Sequence, residues 1–242
     1  MQAFKYQRLK ITINMKYGFI STELDLQSTE ILQKIRLSMN GITSSQMTKR
    51  GIDYKKNYGV AIPRIKEIAF SIKSNHHLAQ HLWKLSIRET MILATILQPI
   101  DDFKQEMAQN WISKFDQIEI IEQSCMNLLC KLPYSVSLSC DCLKSEKEWE
   151  KITGFILAAR IFKQLNETEL EFIIERALEV VDNGNYHLNK SVALCLSRLC
   201  RKNNETANLV WNHIKEYKLE KSNNKAFIYT EVEQELLFLE IL

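Results

Sequence analysis

At 242 residues, with 45% hydrophobic and 25% charged side chains, the chain is long enough to bury a continuous core and too apolar to remain unfolded. Six glycines and three prolines are too few to punctuate an all-β sandwich or barrel, so composition favours helices. A formal net charge of +3 is too small to name a polyanion as partner, and the distribution of charge has to carry that argument.

Residues 1–16 are basic and lack an apolar segment, which predicts a leader with no fold of its own; Met15 is a second candidate start. A single helical domain is expected over 17–242. Leu24, Ile31, Leu32, Ile35 and Met39 recur at helical spacing and predict one apolar face. Pro63 suits the first turn of a second helix whose core face is Ile65, Ile68, Ala69 and Ile72. Beyond it the helices read as pairs, 78–85 with 87–97, then 103–114 with 118–130, and later 169–181 with 188–201. Pro99 followed by Asp101 and Asp102 marks one start, Pro133 one stop, and Asn183-Gly184-Asn185 a turn. No stretch alternates convincingly enough for a strand. Units recur at roughly 35 to 45 residues, the range of HEAT-like repeats. One helical pair cannot bury its own apolar face, whereas stacked pairs share a core and present a curved surface to a partner. The expected fold is therefore all-α, a HEAT-like helical-repeat superhelix of the α-α solenoid class.

Charge is uneven along the chain. Lys55, Lys56, Arg64, Lys66, Lys73, Lys84 and Arg88 face a single acid, Glu67, and residues 187–202 carry Lys190, Arg198, Arg201 and Lys202 with no acid. These two elements either line one groove or form two solvated faces offset by the acidic helix of Glu167, Glu169, Glu171, Glu175 and Glu179. Lys55, Lys56, Arg64, Lys66, Lys190 and Arg201 are candidate phosphate contacts, since such cations neutralise backbone charge without reading sequence. His76, His77 and His81 suit phosphate contact or exposure, not catalysis. Trp83, Trp111 and Trp211 are expected in the core, with Trp149 open. The cysteines Cys125, Cys130, Cys140, Cys142, Cys195 and Cys200 lie largely in apolar helical stretches at no usual metal-ligand spacing, which points to a reducing cytoplasm and no metal. No apolar run would span a membrane. Phosphate-binding loop, nucleophile elbow and metalloprotease motif are all missing, so kinase, common hydrolase and protease chemistries lack their parts and no cofactor is expected.

The segment Asn57-Tyr58-Gly59-Val60-Ala61-Ile62-Pro63-Arg64-Ile65-Lys66 is followed by Leu82-Trp83-Lys84, Ile87-Arg88-Glu89, Trp111, Phe115-Asp116, Glu122-Gln123-Ser124-Cys125-Met126-Asn127-Leu128, Glu148-Trp149-Glu150-Lys151 and Gly154-Phe155. In order and spacing these pieces, over about 42–202, resemble a divergent branch of the AlkD-type DNA alkylation repair family, the HEAT-like repeat DNA glycosylases. The resemblance implies a superhelix that binds duplex DNA on a concave basic face and hydrolyses the N-glycosidic bond of cationic N3- or N7-alkylated purines, without flipping the lesion into a pocket. It places the catalytic carboxylate on Glu122, supported by Glu119 one helical turn earlier. The DNA-contacting set it suggests, together with the charge pattern, is Lys55, Lys56, Arg64, Lys66, Arg88, Trp149, Lys151, Lys190, Arg198 and Arg201. Where the family carries groove aromatics this chain has Ile118 and Leu194, and where it carries groove cations this chain has Ile152 beside Lys151 and Ser197 beside Arg198. Two functions follow. One is a monomeric glycosylase acting on alkylated duplex DNA in the cytoplasm, at the nucleoid in a bacterial cell. The other is a non-catalytic module binding DNA structures or a protein.

Overall fold

The computed structural model describes residues 23–182, 184–220 and 222–242; the expected leader and Asn183 of the expected turn lie outside them. Among the described residues there are thirteen α-helices, three short 3-10 turns and no strand. None of these helices is long and apolar enough to cross a membrane. The chain divides into two compact units, one ending at Pro99 and the other beginning at Ile100.

The first unit holds α1 (Glu23–Leu37), α2 (Gly41–Lys49), α3 (Ile62–Phe70), α4 (His76–Lys84) and α5 (Arg88–Leu97). Ile31 and Ile35 of α1, Ile65, Ile68 and Ala69 of α3, and Leu78, Ala79, Leu82 and Trp83 of α4 are buried, as their spacing predicts. Met39 departs from its expected place: α1 stops at Leu37 and Met39 is 65% exposed. The chain turns there because the Asn40 N–H donates to the Tyr58 carbonyl at 2.8 Å while its side chain accepts from Thr43 N and caps α2. Helix α5 is buried almost all round, packed on α3 and α4. Its two charged residues are structural. Glu89 is fully buried and accepts from the Tyr58 N–H at 3.1 Å and the Val60 N–H at 3.2 Å. Arg88, only 3% exposed, pairs with Glu89 at 3.0 Å and donates to the Val60 carbonyl at 2.8 Å. The expectation that Arg88 contacts DNA is therefore corrected: its guanidinium is used to hold the 56–60 loop against α5.

The second unit holds α6 (Gln105–Ile112), α7 (Ile118–Asn127), α8 (Ser135–Lys144), α9 (Glu148–Ile161), α10 (Glu167–Val180), α11 (Tyr186–Cys200), α12 (Asn204–Ile214) and α13 (Asn223–Phe238). Helices α7, α9, α11 and α13 pack in succession as one layer, and α8, α10 and α12 back them from behind, α8 on α9, α10 on α11 and α12 on α13. That is the stacking of helical pairs that repeat architecture requires. Asp101 and Asp102 do not open a helix as expected; they lie in a turn, Phe103 is buried, and α6 begins only at Gln105. The other punctuation acts locally: Asn166 forms a capping box with Glu169, and Asn185, Asn203 and Ser222 cap α11, α12 and α13. Of the tryptophans expected in the core, Trp83 and Trp111 are buried, whereas Trp211 is half-buried with its ring centroid 5.5 Å from that of Tyr229.

Candidate functional site

The layer formed by α7, α9, α11 and α13 lines a cavity of about 800 Å³ that is open to solvent. Helical periodicity explains how each wall is made. On α7, Ile118 and Glu122 are one turn apart and share a face. On α11 the stripe runs from Tyr186 and His187 through Lys190, Leu194 and Arg198, while Val192, Cys195, Leu196 and Leu199 fill the opposite, buried face. On α13 the same spacing brings Phe227, Glu231 and Glu235 to the wall. Ile156 of α9 forms part of the apolar floor.

Several residues singled out in the sequence thus meet at one place: Glu122, Lys190 and Arg198, together with the replacement positions Ile118, Leu194 and Ser197. Glu119 lies on the same helix but is half-buried and does not line the cavity. Trp149 is half-buried at the start of α9, its ring centroid 6.1 Å from that of His187, which lines the cavity; Trp149 itself does not. Lys151 is directed elsewhere. It lines a separate cleft of about 210 Å³ with Arg176 and pairs with Glu146 at 3.6 Å, which removes it from the set around Glu122. Its neighbour Ile152 is fully buried. Lys55, Lys56, Arg64 and Lys66 belong to the first unit, where Lys55 and Lys56 are exposed and Arg64 pairs with Glu67 at 2.7 Å. His76 shares a 2.9 Å hydrogen bond with Gln98, and His81 lies 3.9 Å from Asp25.

The charge of the cavity is mixed. Glu122, Glu231 and Glu235 confront Lys190 and Arg198. Arg201, one turn beyond Arg198, is held by Glu235 through two hydrogen bonds, Nη2 to Oε2 at 2.9 Å and Nε to Oε1, and its guanidinium carbon lies 5.9 Å from the centroid of the Phe238 ring. The hydrogen bonds that Arg201 donates to Glu235 raise the Arg201 pKa above its ordinary value. The basic helix 187–202 is therefore partly neutralised by α13, an element outside the two basic stretches of the charge pattern.

Among the lining residues that carry no motif in the sequence are Tyr186, Phe227, Glu231 and Glu235. Tyr186 is 67% exposed and Phe227 half-buried, and both place aromatic surface on the cavity, although not at the positions of Ile118 and Leu194. The i, i+4, i+8 spacing of Phe227, Glu231 and Glu235 is legible as one helical stripe; what that stripe faces is not. The thiols offer no nucleophile at this site. None lines the cavity, and burial pushes Cys142 and Cys200 up to about 12.

Residues 31–223 match the DNA alkylation repair enzyme family, well over half of the chain. The chain belongs to that family. A solved structure from work on a new family of proteins related to the HEAT-like repeat DNA glycosylases, with affinity for branched DNA structures, superposes with a TM-score of 0.71. The two chains are 14% identical, and the match covers 85% of this chain and 94% of that one. A designed armadillo repeat protein, 12% identical over 86% of this chain and 98% of its own, reaches a TM-score of only 0.40 and supports no argument. No curated protein matches the chain. The first likeness, at that identity, is a likeness of fold, and it agrees with the stacked pairs described above: this member of the DNA alkylation repair enzyme family is an all-α, HEAT-like repeat protein. The family match ends at residue 223, so Phe227, Glu231 and Glu235 of α13 lie beyond it.

Proposed function

We propose that this chain binds alkylated duplex DNA and hydrolyses the N-glycosidic bond of N3- or N7-alkylated purines, with Glu122 as the carboxylate that faces the deoxyribose. The observation that supports this reading is the convergence of Glu122 with Lys190 and Arg198 in one cavity open to solvent, from helices far apart in sequence. An alkylated purine already carries positive charge and is a good leaving group. When the bond from the sugar C1′ to the base nitrogen breaks, its electron pair goes to the base and neutralises it, while cationic character develops on the sugar. A carboxylate beside the sugar stabilises that charge and orients the water whose oxygen joins C1′, with the proton passing to the carboxylate or to solvent. The products are an abasic site and a free, neutral alkylpurine. Tyr186 and Phe227 offer aromatic faces to a cationic base from new positions. Lys190, Arg198 and, from the first unit, Lys55, Lys56, Arg64 and Lys66 are the proposed phosphate contacts, and Glu119 and Trp149 support the walls.

The deciding measurement is release of methylated purine from alkylated duplex DNA under single-turnover conditions. Wild-type protein is expected to release base and Glu122→Gln to lose that release by roughly 100-fold or more, as expected when a group stabilising transition-state charge is removed. Lys190→Gln is expected to retain chemistry but to flatten the slope of log affinity against log salt by about 0.9, the value for one lost phosphate contact. The second reading is a non-catalytic module for branched DNA. It is favoured by the mixed charge of the cavity and by the branched-DNA affinity ascribed to the structurally similar protein. Salt-sensitive binding with no base release from the wild type would select it.

A further inference from the structure

Resting on the DNA-binding reading above, we propose that α13 is an acidic wall that sets how strongly the cations of α11 hold a phosphate backbone. Three observations carry this. Glu235, with its side chain only 14% exposed, engages Arg201 through both carboxylate oxygens, and the Phe238 ring lies against the same guanidinium, so the cation at the C-terminal end of the basic stripe is occupied from α13. Glu231 is exposed on the cavity that Lys190 and Arg198 also line, where it opposes their attraction for any anion. The wall is firmly placed: Ile228, Val232 and Leu236 are fully buried, and the Ser197 hydroxyl of α11 donates to the Glu231 carbonyl at 3.4 Å. The carboxylates are thus fixed beside the cations by the packing of α13 on α11.

A phosphate approaching α11 must compete with Glu235 for Arg201 and tolerate Glu231 beside Lys190 and Arg198. The wall lowers the number of phosphates the helix neutralises and so weakens general duplex affinity. It leaves Glu122, on the opposite wall, with a site that favours positive over negative charge.

The experiment is fluorescence anisotropy with a labelled duplex oligonucleotide over a series of salt concentrations. It compares the full chain, Glu231→Gln alone, Glu231→Gln with Glu235→Gln, and that pair combined with Arg201→Gln. Glutamine preserves shape, and Glu231 is exposed, so the single variant reports even if the buried-side change at Glu235 perturbs folding. The pair is expected to bind roughly ten-fold tighter with a slope steeper by about 0.9, corresponding to one additional phosphate neutralised by the released Arg201. The single variant should gain roughly three-fold from lost repulsion with little change in slope. Adding Arg201→Gln should return the slope to that of the wild type. Unchanged affinity and slope in the single variant and the pair, with the wild type binding DNA, would overturn the wall and leave the DNA-binding reading intact. A gain that survives Arg201→Gln unaltered would remove Arg201 from the account. Absence of duplex binding in every variant would end both readings.

Discussion

Glu89→Ala is expected to lower the stability of the first unit by about 3–5 kcal/mol, the range for breaking a buried ion pair by removing one partner. Three things happen together. The carboxylate that pairs with Arg88 at 3.0 Å disappears, taking the counter-charge from a guanidinium only 3% exposed. The buried N–H of Val60 and the half-buried N–H of Tyr58 lose their acceptor. A cavity also opens beside a helix that is buried almost all round. Thermal unfolding followed by circular dichroism measures the loss. A melting temperature within a degree or two of the wild type would mean that the 56–60 loop is held by other contacts.

Gly59→Ala is the second large effect, expected at about 3 kcal/mol or more. Gly59 has φ +69°, where a Cβ costs about 1–2 kcal/mol in itself. The Cβ would also lie 2.1 Å from the Asn40 carbonyl oxygen and 2.7 Å from the Ser44 nitrogen, both of them backbone atoms that cannot rotate away. The start of α2 would have to move, and with it the hydrogen bond from Asn40 N to Tyr58 O. Gly51 provides the control: its φ is +82°, yet nothing lies within 4 Å of its ideal Cβ. Gly51→Ala should therefore cost only about 1–2 kcal/mol. Equal losses at the two glycines would show that the close approach at Gly59 relaxes without cost.

These two sites also explain the segment Gly59-Val60-Ala61-Ile62-Pro63. In the sequence it marks a family resemblance and is followed by basic residues that suggest DNA contact. In the structure its work is local: Gly59 permits a close backbone approach, Val60 is anchored by Glu89 and Arg88, and Pro63 sits in the first turn of α3. Its presence supports the fold and carries no direct information on catalysis.

Residue spacing alone is sufficient for the helical class, for the pairs that pack as α4 with α5 and α10 with α11, and for most of the buried faces of α1 and α3, because helical periodicity is a local property fixed by 3.6 residues per turn; the expected pair 103–114 with 118–130 does not pack as one, since α7 lies against α9 instead. The resemblance selects Glu122, and the stripe of Lys190, Leu194 and Arg198 follows from their spacing of four on one helix. Spacing says which residues share a face, and it says nothing of what that face meets. Arg88 and Arg198 are both arginines in basic stretches, yet one is enclosed by a loop 28 residues earlier and the other lines the cavity. Lys151 and Arg201 look equally available in sequence, but Lys151 lies on another cleft and Arg201 is held by Glu235, 34 residues further along. Sequence by itself determined the helical class, the family and the candidate carboxylate; the tertiary packing decided which cations remain available to a ligand, because desolvation and ion pairing depend on neighbours that only the stacking of helices brings within a few ångströms.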